Sequence, residues 1–400
     1  MRRSIGSEDV EAGFPLKPGA VLDARIRLQD AVNVLRRSLH FKLKPEWGDV
    51  ELGLAEVYDV GLGVLDVLFG AKMPEFLKTM KQLLPDVDEQ EVGVPSIQVV
   101  CDKDAILPFE LVPIFRIDQE RPPICNDDSL TETIGRFIGH ATNVRRHIRG
   151  APVTHLPLVW KGDSWVSCFP NAEGLRVGIF QEISLKEAAA EMLGMERHGS
   201  RLILLGPWPS GRVSSIEEIV AEILCERVPP GEFRAHVLHF SCHCDSDVVS
   251  PSNVTIRLRG EQTPRIDVRL MNLHARSVFL RASRAIGGTL PAANLPLIFL
   301  NACSSAATEV FTGASLPEFF QSQGYAGFIG TETAVPDTVA AAFSKEFYDR
   351  FLEGCSLSDS LRRSRQALLL EHKNPLGLVY VAYADGDIYV EYPTGRRPPE

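Results

Sequence analysis

The sequence has no apolar run that approaches the ~20 residues a helix needs to cross a bilayer. Its opening Met1-Arg-Arg-Ser4 is followed by Glu8, Asp9 and Glu11, where a secretory leader would carry an apolar segment. A cytoplasmic protein with no membrane partner is expected. Excess positive charge is also missing. The 52 Asp and Glu outnumber the 42 Lys and Arg, for a formal net charge of −10, whereas binding a phosphate backbone needs clustered cations to release its counterions. Direct contact with nucleic acid is not expected. Metal-ligand spacing is absent as well: Cys242-His243-Cys244 sets three donors side by side, but adjacent strand residues point to opposite faces and no second CxxC or HxxxH completes a shell. No metal and no cofactor are expected. The eight cysteines are scattered over 400 residues without the dense spacing of a disulfide scaffold, so each reads first as a reduced, buried thiol. Gly61-Leu-Gly63 does not follow a strand, which removes it as a phosphate loop, and no internal repeat is visible.

What is present is an ordinary globular composition, 44% hydrophobic and 24% charged with a mean hydropathy of −0.01. Four hundred residues suffice for two or three average domains, or for one large α/β unit with an extension. Residues 1–18 are polar with Gly and Pro and read as a loose arm. Apolar residues at three- and four-residue steps predict helix over 22–84, and the acidic run Pro85-Asp-Val-Asp-Glu-Gln-Glu91 reads as a linker. Beyond it come a strand at 96–101, the segment 107–112, a helix over 133–148 and a hairpin from 157–160 and 165–169. Strands and helices then alternate: strand 175–180, helix 185–195, strand 202–205, helix 215–225 behind an S-x-x-E capping signal, and a strand ending near His243. An antiparallel excursion over 253–258 and 266–270 carries Arg257, Arg259, Arg265 and Arg269, read as a solvated charged face. The strand ending at Cys303 follows, then a helix starting at Ser315-Leu-Pro-Glu318, strand 326–330, a helix capped by Asp337 with Val339, Phe343, Phe347 and Phe351 four apart, a helix over 357–371 and a strand at 378–384. This alternation predicts an α/β fold with a mostly parallel sheet covered on both faces.

Two of these strands carry the chemistry. Leu295-Pro-Leu-Ile-Phe-Leu-Asn-Ala-Cys-Ser-Ser305 is an apolar run that stops abruptly at small polar residues, and Ala235-His-Val-Leu-His-Phe-Ser-Cys-His-Cys-Asp245 has the same design. Ligands bind outside the carboxyl ends of strands in such sheets, so Cys303 and His243 would face one crevice if the strands are neighbours. A thiol attacks a carbonyl as thiolate and needs a base to hold its proton, and imidazole titrates in the right range. Cys303 is thus the candidate nucleophile and His243 the candidate base and leaving-group acid. The backbone N–H groups of Cys244 and Cys303 are the oxyanion candidates. His239 lies mid-strand on the same face as His243 and reads as a satisfied core histidine. Glu332, just past a strand's carboxyl end, and Asp337 are candidates for contacting substrate.

These residues resemble the CHAT family of caspase-like cysteine proteases, in the clan that includes caspases and separases. The matching pieces are His239-Phe-Ser-Cys-His243, Asn301-Ala-Cys303-Ser, Gly324-Tyr-Ala-Gly-Phe-Ile-Gly-Thr331 followed by Val335-Pro-Asp337, and Leu107-Pro-Phe-Glu-Leu111, which is similar to the family's early Pro-Trp-Glu-Leu signal. The resemblance implies a caspase-like α/β fold, a mostly parallel sheet flanked by helices on both faces with an N-terminal helical extension, the His after the third core strand and the Cys after the fourth. It also implies 1–90 as arm and extension and 91–393 as the CHAT domain, with 91–172 a degenerate half and 173–393 the catalytic half. Family members usually carry Gly after the histidine, where this chain has Cys244. Relatives that select basic residues can carry an acid near the nucleophile, where this chain has Asn301. The activity implied is that of a cysteine endopeptidase acting on a protein substrate in bacterial defence or cell death, latent until an activating sensor or partner protein releases it. A catalytically inactive peptide-binding scaffold is the alternative, and acyl transfer by the same thioester chemistry a third reading.

Overall fold

In the computed structural model of the chain, the residues described are 2–5, 8–11, 16–40, 42–83, 94–101, 107–149, 156–161, 164–170, 173–211, 213–229, 232–246, 254–287, 294–302, 315–384 and 387–391. The acidic stretch 85–91 and Cys303 lie outside them. Where a loose arm was expected, β1 (Arg2–Ile5) and β2 (Glu8–Glu11) form an antiparallel pair. The helical pattern of 22–84 resolves into α1 (Pro18–Ser38), α2 (Trp47–Phe69) and α3 (Met73–Leu83). α1 buries Leu28, Val32 and Leu35, and Leu39 at its C-terminal cap continues the stripe that the spacing predicts.

Next come β3 (Ser96–Cys101), α4 (Asp127–Ile134), α5 (Ile138–Ala141) and β4 (Asn143–Ile148), with β3 and β4 parallel. The helix expected over 133–148 is therefore wrong in its second half. Burial alternates through Thr142, Val144 and Arg146, the period of two that defines a strand, and an arginine at an inward position hid that alternation. Arg146 is enclosed because its guanidinium meets Glu110 at 2.5 Å, and neither side chain is more than 1% exposed. The predicted hairpin is present as β5 (Leu158–Lys161) and β6 (Ser164–Pro170).

The main sheet is built from β7 (Leu175–Gln181), α6 (Ala188–Glu196), β8 (Leu202–Trp208), α7 (Ile216–Ile223), β9 (Val237–Ser246), β10 (Val254–Leu258), β11 (Ile266–Arg269), α8 (Leu270–Gly287), β12 (Leu297–Ala302), α9 (Ser315–Ser322), β13 (Gly327–Thr331), α10 (Asp337–Leu352), α11 (Leu357–His372) and β14 (Tyr380–Ala384). A short β15 (Tyr389–Glu391) returns to pair with β6. Strands β8, β7, β9, β12 and β13 lie side by side and parallel, with β14 antiparallel at the edge. The far end of β9 carries the antiparallel β10–β11 hairpin. Both faces are covered, as the continuous apolar strands require. Along β12, Leu297 and Phe299 join the core that includes Val339, Phe343 and Phe347 of α10, while Ile298 and Leu300 join the core that includes Ile219 and Ile223 of α7 and Phe319 and Phe320 of α9.

The expected capping role of Asp337 is not what the helix uses. Asp337 is the first residue of α10, Pro336 occupies the cap position without a side-chain bond, and the Asp337 carboxylate accepts from the adjacent Thr338 N–H at 3.0 Å. Proline's fixed φ preorganises this start, and a carboxylate in the first turn complements the helix dipole. The glycines of the 324–331 motif have steric reasons. Gly324 turns into β13 at φ +88°, and a Cβ on Gly327 would lie 2.3 Å from the Ala384 Cβ across the β13–β14 ladder. Gly327→Val is therefore expected to destabilise the fold by about 1–3 kcal/mol through overpacking, read from urea unfolding monitored by fluorescence.

Candidate functional site

Parallel register carries β9 and β12 alongside each other from Val237 opposite Leu297 to Cys242 opposite Ala302. In the chain, Cys242 is followed by His243 and Ala302 by Cys303. Alternation sorts the β9 side chains to two faces. Phe240, Cys242 and Cys244 enter the core beneath α7 and α9, and burial pushes both thiols up, Cys242 well above the ordinary thiol range. Neither is a poised nucleophile. Nor can the two thiols converge with His243 on one ion, and among the described residues no cluster of three or more His, Cys, Asp or Glu is arranged to hold a metal.

The opposite face carries His239, Ser241 and His243. The first two are fully engaged. The Glu191 carboxylate, 5% exposed on α6, accepts from His239 Nε2 at 3.0 Å and from the Ser241 hydroxyl. The Tyr348 hydroxyl of α10 lies within hydrogen-bond distance of His239 Nδ1, at 3.2 Å. Asn301 on β12 joins the same group: its Nδ2 donates to Glu191 Oε1 at 2.5 Å and to the Ala340 carbonyl at 2.9 Å, and its Oδ1 accepts from the Tyr380 hydroxyl at 2.6 Å. Burial alone would raise the Glu191 carboxyl, but the His239 imidazole and hydrogen bonds from His239, Ser241 and Ser344 outweigh it and hold the group below its ordinary range. His243, two residues beyond Ser241, differs. It is half-buried, lies opposite Arg257 in the β9–β10 ladder, and among the described residues nothing hydrogen-bonds its ring.

Cys244 lies opposite Ile256 in that ladder. Glu332 follows β13 as expected, but it is only 4% exposed. Its carboxyl accepts from the Tyr383 hydroxyl at 3.1 Å, and burial raises it against the pull of Arg25 on α1 and Arg146 on β4. The neighbouring Thr333 hydroxyl donates to Asn33 of α1 at 2.9 Å, so α1 packs directly on the loop after β13. The arginines of the excursion are largely neutralised: Arg257 pairs with Asp245, Arg259 with Glu182 at 3.0 Å and Arg265 with Asp267 at 2.7 Å. The sequence suggested a solvated charged face, and the structure adds the acids that pair with it. Glu191 escaped sequence reasoning, although one signal was there. It sits between Ala188 and Met195 on the buried side of α6, an acid on an apolar stripe.

Comparison with known proteins adds three findings. The CHAT domain profile matches residues 180–385, just over half of the chain, a span that includes His243, Cys303, Glu332 and Asp337. A probable protease of Vitiosangium sp. (strain GDMCC 1.1324) is 29% identical over 160 residues, 39% of this chain and 19% of that protein. The chain thus spans about a fifth of the length of the curated relative it matches. Two crystal structures of the Saccharomyces cerevisiae separase–securin complex align over 93% of this chain and 28% and 27% of theirs, at 14% and 13% identity and TM-scores of 0.39 and 0.38.

Proposed function

The chain belongs to the CHAT domain family, and from that premise we propose that it is a caspase-like protease, a cysteine endopeptidase that cleaves a protein substrate with Cys303 as nucleophile and His243 as base and acid. One observation carries the reading. The β9–β12 register pairs Cys242 with Ala302, so each strand's next residue is one member of the dyad. The His243 ring, unclaimed by hydrogen bonds among the described residues, is what a proton-transfer group requires, whereas His239 is tied at both nitrogens. In the proposed step His243 takes the thiol proton, the Cys303 sulfur attacks the scissile carbonyl, and the imidazolium gives that proton to the leaving amine. Water then hydrolyses the thioester. The oxyanion would be met by the N–H groups of Cys303 and Cys244, the latter provided the ladder with β10 leaves its amide free.

The reading extends to latency within a bacterial defence or cell-death system, with a sensor or partner protein as the activating signal. Packing of α1 on the loop after β13 supports it. If Glu332 and Asp337 face the substrate, a Lys or Arg before the scissile bond would compete with Arg25 for the Glu332 carboxyl, and displacing α1 would open that contact.

The experiment is cleavage of a denatured protein by the purified chain, alone and with the products of adjacent genes, repeated with a chelator and after thiol alkylation. Alkylation should abolish cleavage and the chelator should leave it unchanged. Cleavage that survives Cys303→Ala and is lost to the chelator overturns the proposal.

A further inference from the structure

The two strands that lead to the proposed dyad are tied to each other by a third element. Ser241 and Asn301 are register partners on neighbouring strands, and both donate to the one carboxylate of Glu191, Ser241 to Oε2 and Asn301 to Oε1. Each donor stands two residues before a dyad member, on the strand face that alternation gives to His243. Asn301 is 0% exposed and Glu191 5%, so water does not compete for these bonds, and charge-assisted bonds in a dry site are short and stiff. His239 and the Tyr348 hydroxyl brace the carboxylate from the α10 side. A displacement of one strand along the other must therefore break a bond to a buried anion and leave its partner unsatisfied, which is costly.

We propose that Glu191 is a positioning residue: its buried carboxylate locks β9 and β12 in register through Ser241 and Asn301, and so fixes where β9 holds His243 relative to the end of β12 from which Cys303 follows. This rests on the dyad reading above. A misplacement of the order of 1 Å between reacting groups costs about 10²-fold in rate, so the effect falls on the chemical step and not on substrate capture. Glu191→Gln keeps the shape and one acceptor oxygen but loses the charge and one of the two accepting positions. Ser241→Ala removes one strand's tether and leaves the carboxylate braced by His239. Tyr348→Phe removes only the brace behind His239.

The experiment has two readouts on the full chain, kcat and KM for a cleaved peptide, and the pH profile of iodoacetamide alkylation at Cys303, followed by mass spectrometry of its peptide. In the unsubstituted chain alkylation should persist well below the ordinary thiol range, because the imidazole stabilises thiolate. Glu191→Gln should lower kcat by about 10- to 100-fold at nearly constant KM and move the alkylation profile toward that of a free thiol, near pH 8.5. Ser241→Ala should move both in the same direction by less, and Tyr348→Phe should leave the alkylation profile in place. If Glu191→Gln does not fold, Ser241→Ala decides. A folded Glu191→Gln or Ser241→Ala chain with unchanged kcat and profile overturns the proposal while leaving the dyad intact. An ordinary thiol profile in the unsubstituted chain, unaffected by His243→Ala, shows instead that the dyad reading has failed and the positioning role with it.

Discussion

Replacing Cys303 by Ala is expected to abolish peptide cleavage, with a loss of at least ~10⁴-fold in kcat, because no other group can form the thioester. His243→Ala should cost about 10²–10⁴-fold, the range for a positioned general acid–base. The residual rate should rise with pH as bulk hydroxide makes thiolate. Both variants should keep the fold, since the His243 ring has no hydrogen bond among the described residues to lose and sits only half-buried. Cys242→Ser is the matching control. Its side chain lies on the other face of β9, in the core beneath α7, so it should alter stability modestly and leave the pH dependence of cleavage unchanged. Steady-state kinetics on one peptide across pH 5–9, beside thermal unfolding of each variant, check all three. A His243→Ala chain with full activity, or a Cys242→Ser chain without any, contradicts the assignment.

The second large effect is structural. Glu110→Ala is expected to destabilise the chain by about 3–5 kcal/mol, the cost of breaking a fully buried ion pair and leaving its partner charged. The carboxylate of Glu110 meets Arg146 of β4 at 2.5 Å and approaches Arg365 of α11 at 3.9 Å, with none of the three side chains more than 3% exposed. Arg146 also stacks over the Tyr383 ring at 4.7 Å, and Arg365 donates to the Gly139 and Tyr380 carbonyls at 2.8 and 2.5 Å. Burial, opposed by Glu110 and reinforced by Arg146 and Arg362, brings the Arg365 guanidinium down to about 10. Without Glu110 the two guanidinium groups would face each other across a dry site. Urea unfolding should show the loss as a lower midpoint with an unchanged slope. A Glu110→Ala chain within ~1 kcal/mol of the parent would mean that the two guanidinium groups are not left as uncompensated buried charge, and would contradict this reading.

The same pair shows which parts of the molecule a sequence can disclose. Leu107-Pro-Phe-Glu-Leu111 was legible as a motif, but its acid acts on Arg146, 36 positions away, and no local pattern links them. The strands β7, β9, β12, β13 and β14 were legible because continuous apolar runs must be buried on both faces. The pairing of β10 with β11 was legible from alternation. β4 was missed because Arg146 stood at an inward position, and the first hairpin because its eight residues carry no apolar face. The exposed residues Met271, Val278 and Phe279 on α8 explain why that helix made no amphipathic signal. At the site, the position of Glu332 just past β13 and the engagement of His239 could be read, but the strand expected to end at His243 runs on to Ser246 because β10 pairs with it there. The environment of Glu332 could not, since Arg25 reaches it from a helix some three hundred residues earlier. Asn301 was noticed only for its nearness to Cys303, yet its bonds to Glu191, Ala340 and Tyr380 depend on three elements that only the fold assembles.

The central claim is that His243 activates Cys303, and covalent capture tests it most directly. A peptide carrying a chloromethyl ketone is incubated with the chain, with its His243→Ala variant and with its Cys303→Ala variant, and the adducts are located by mass spectrometry. Modification concentrated on Cys303, strongly slowed in His243→Ala and absent in Cys303→Ala, is the predicted result. Labelling of Cys303 at the rate of the exposed Cys125, unchanged when His243 is removed, would contradict it.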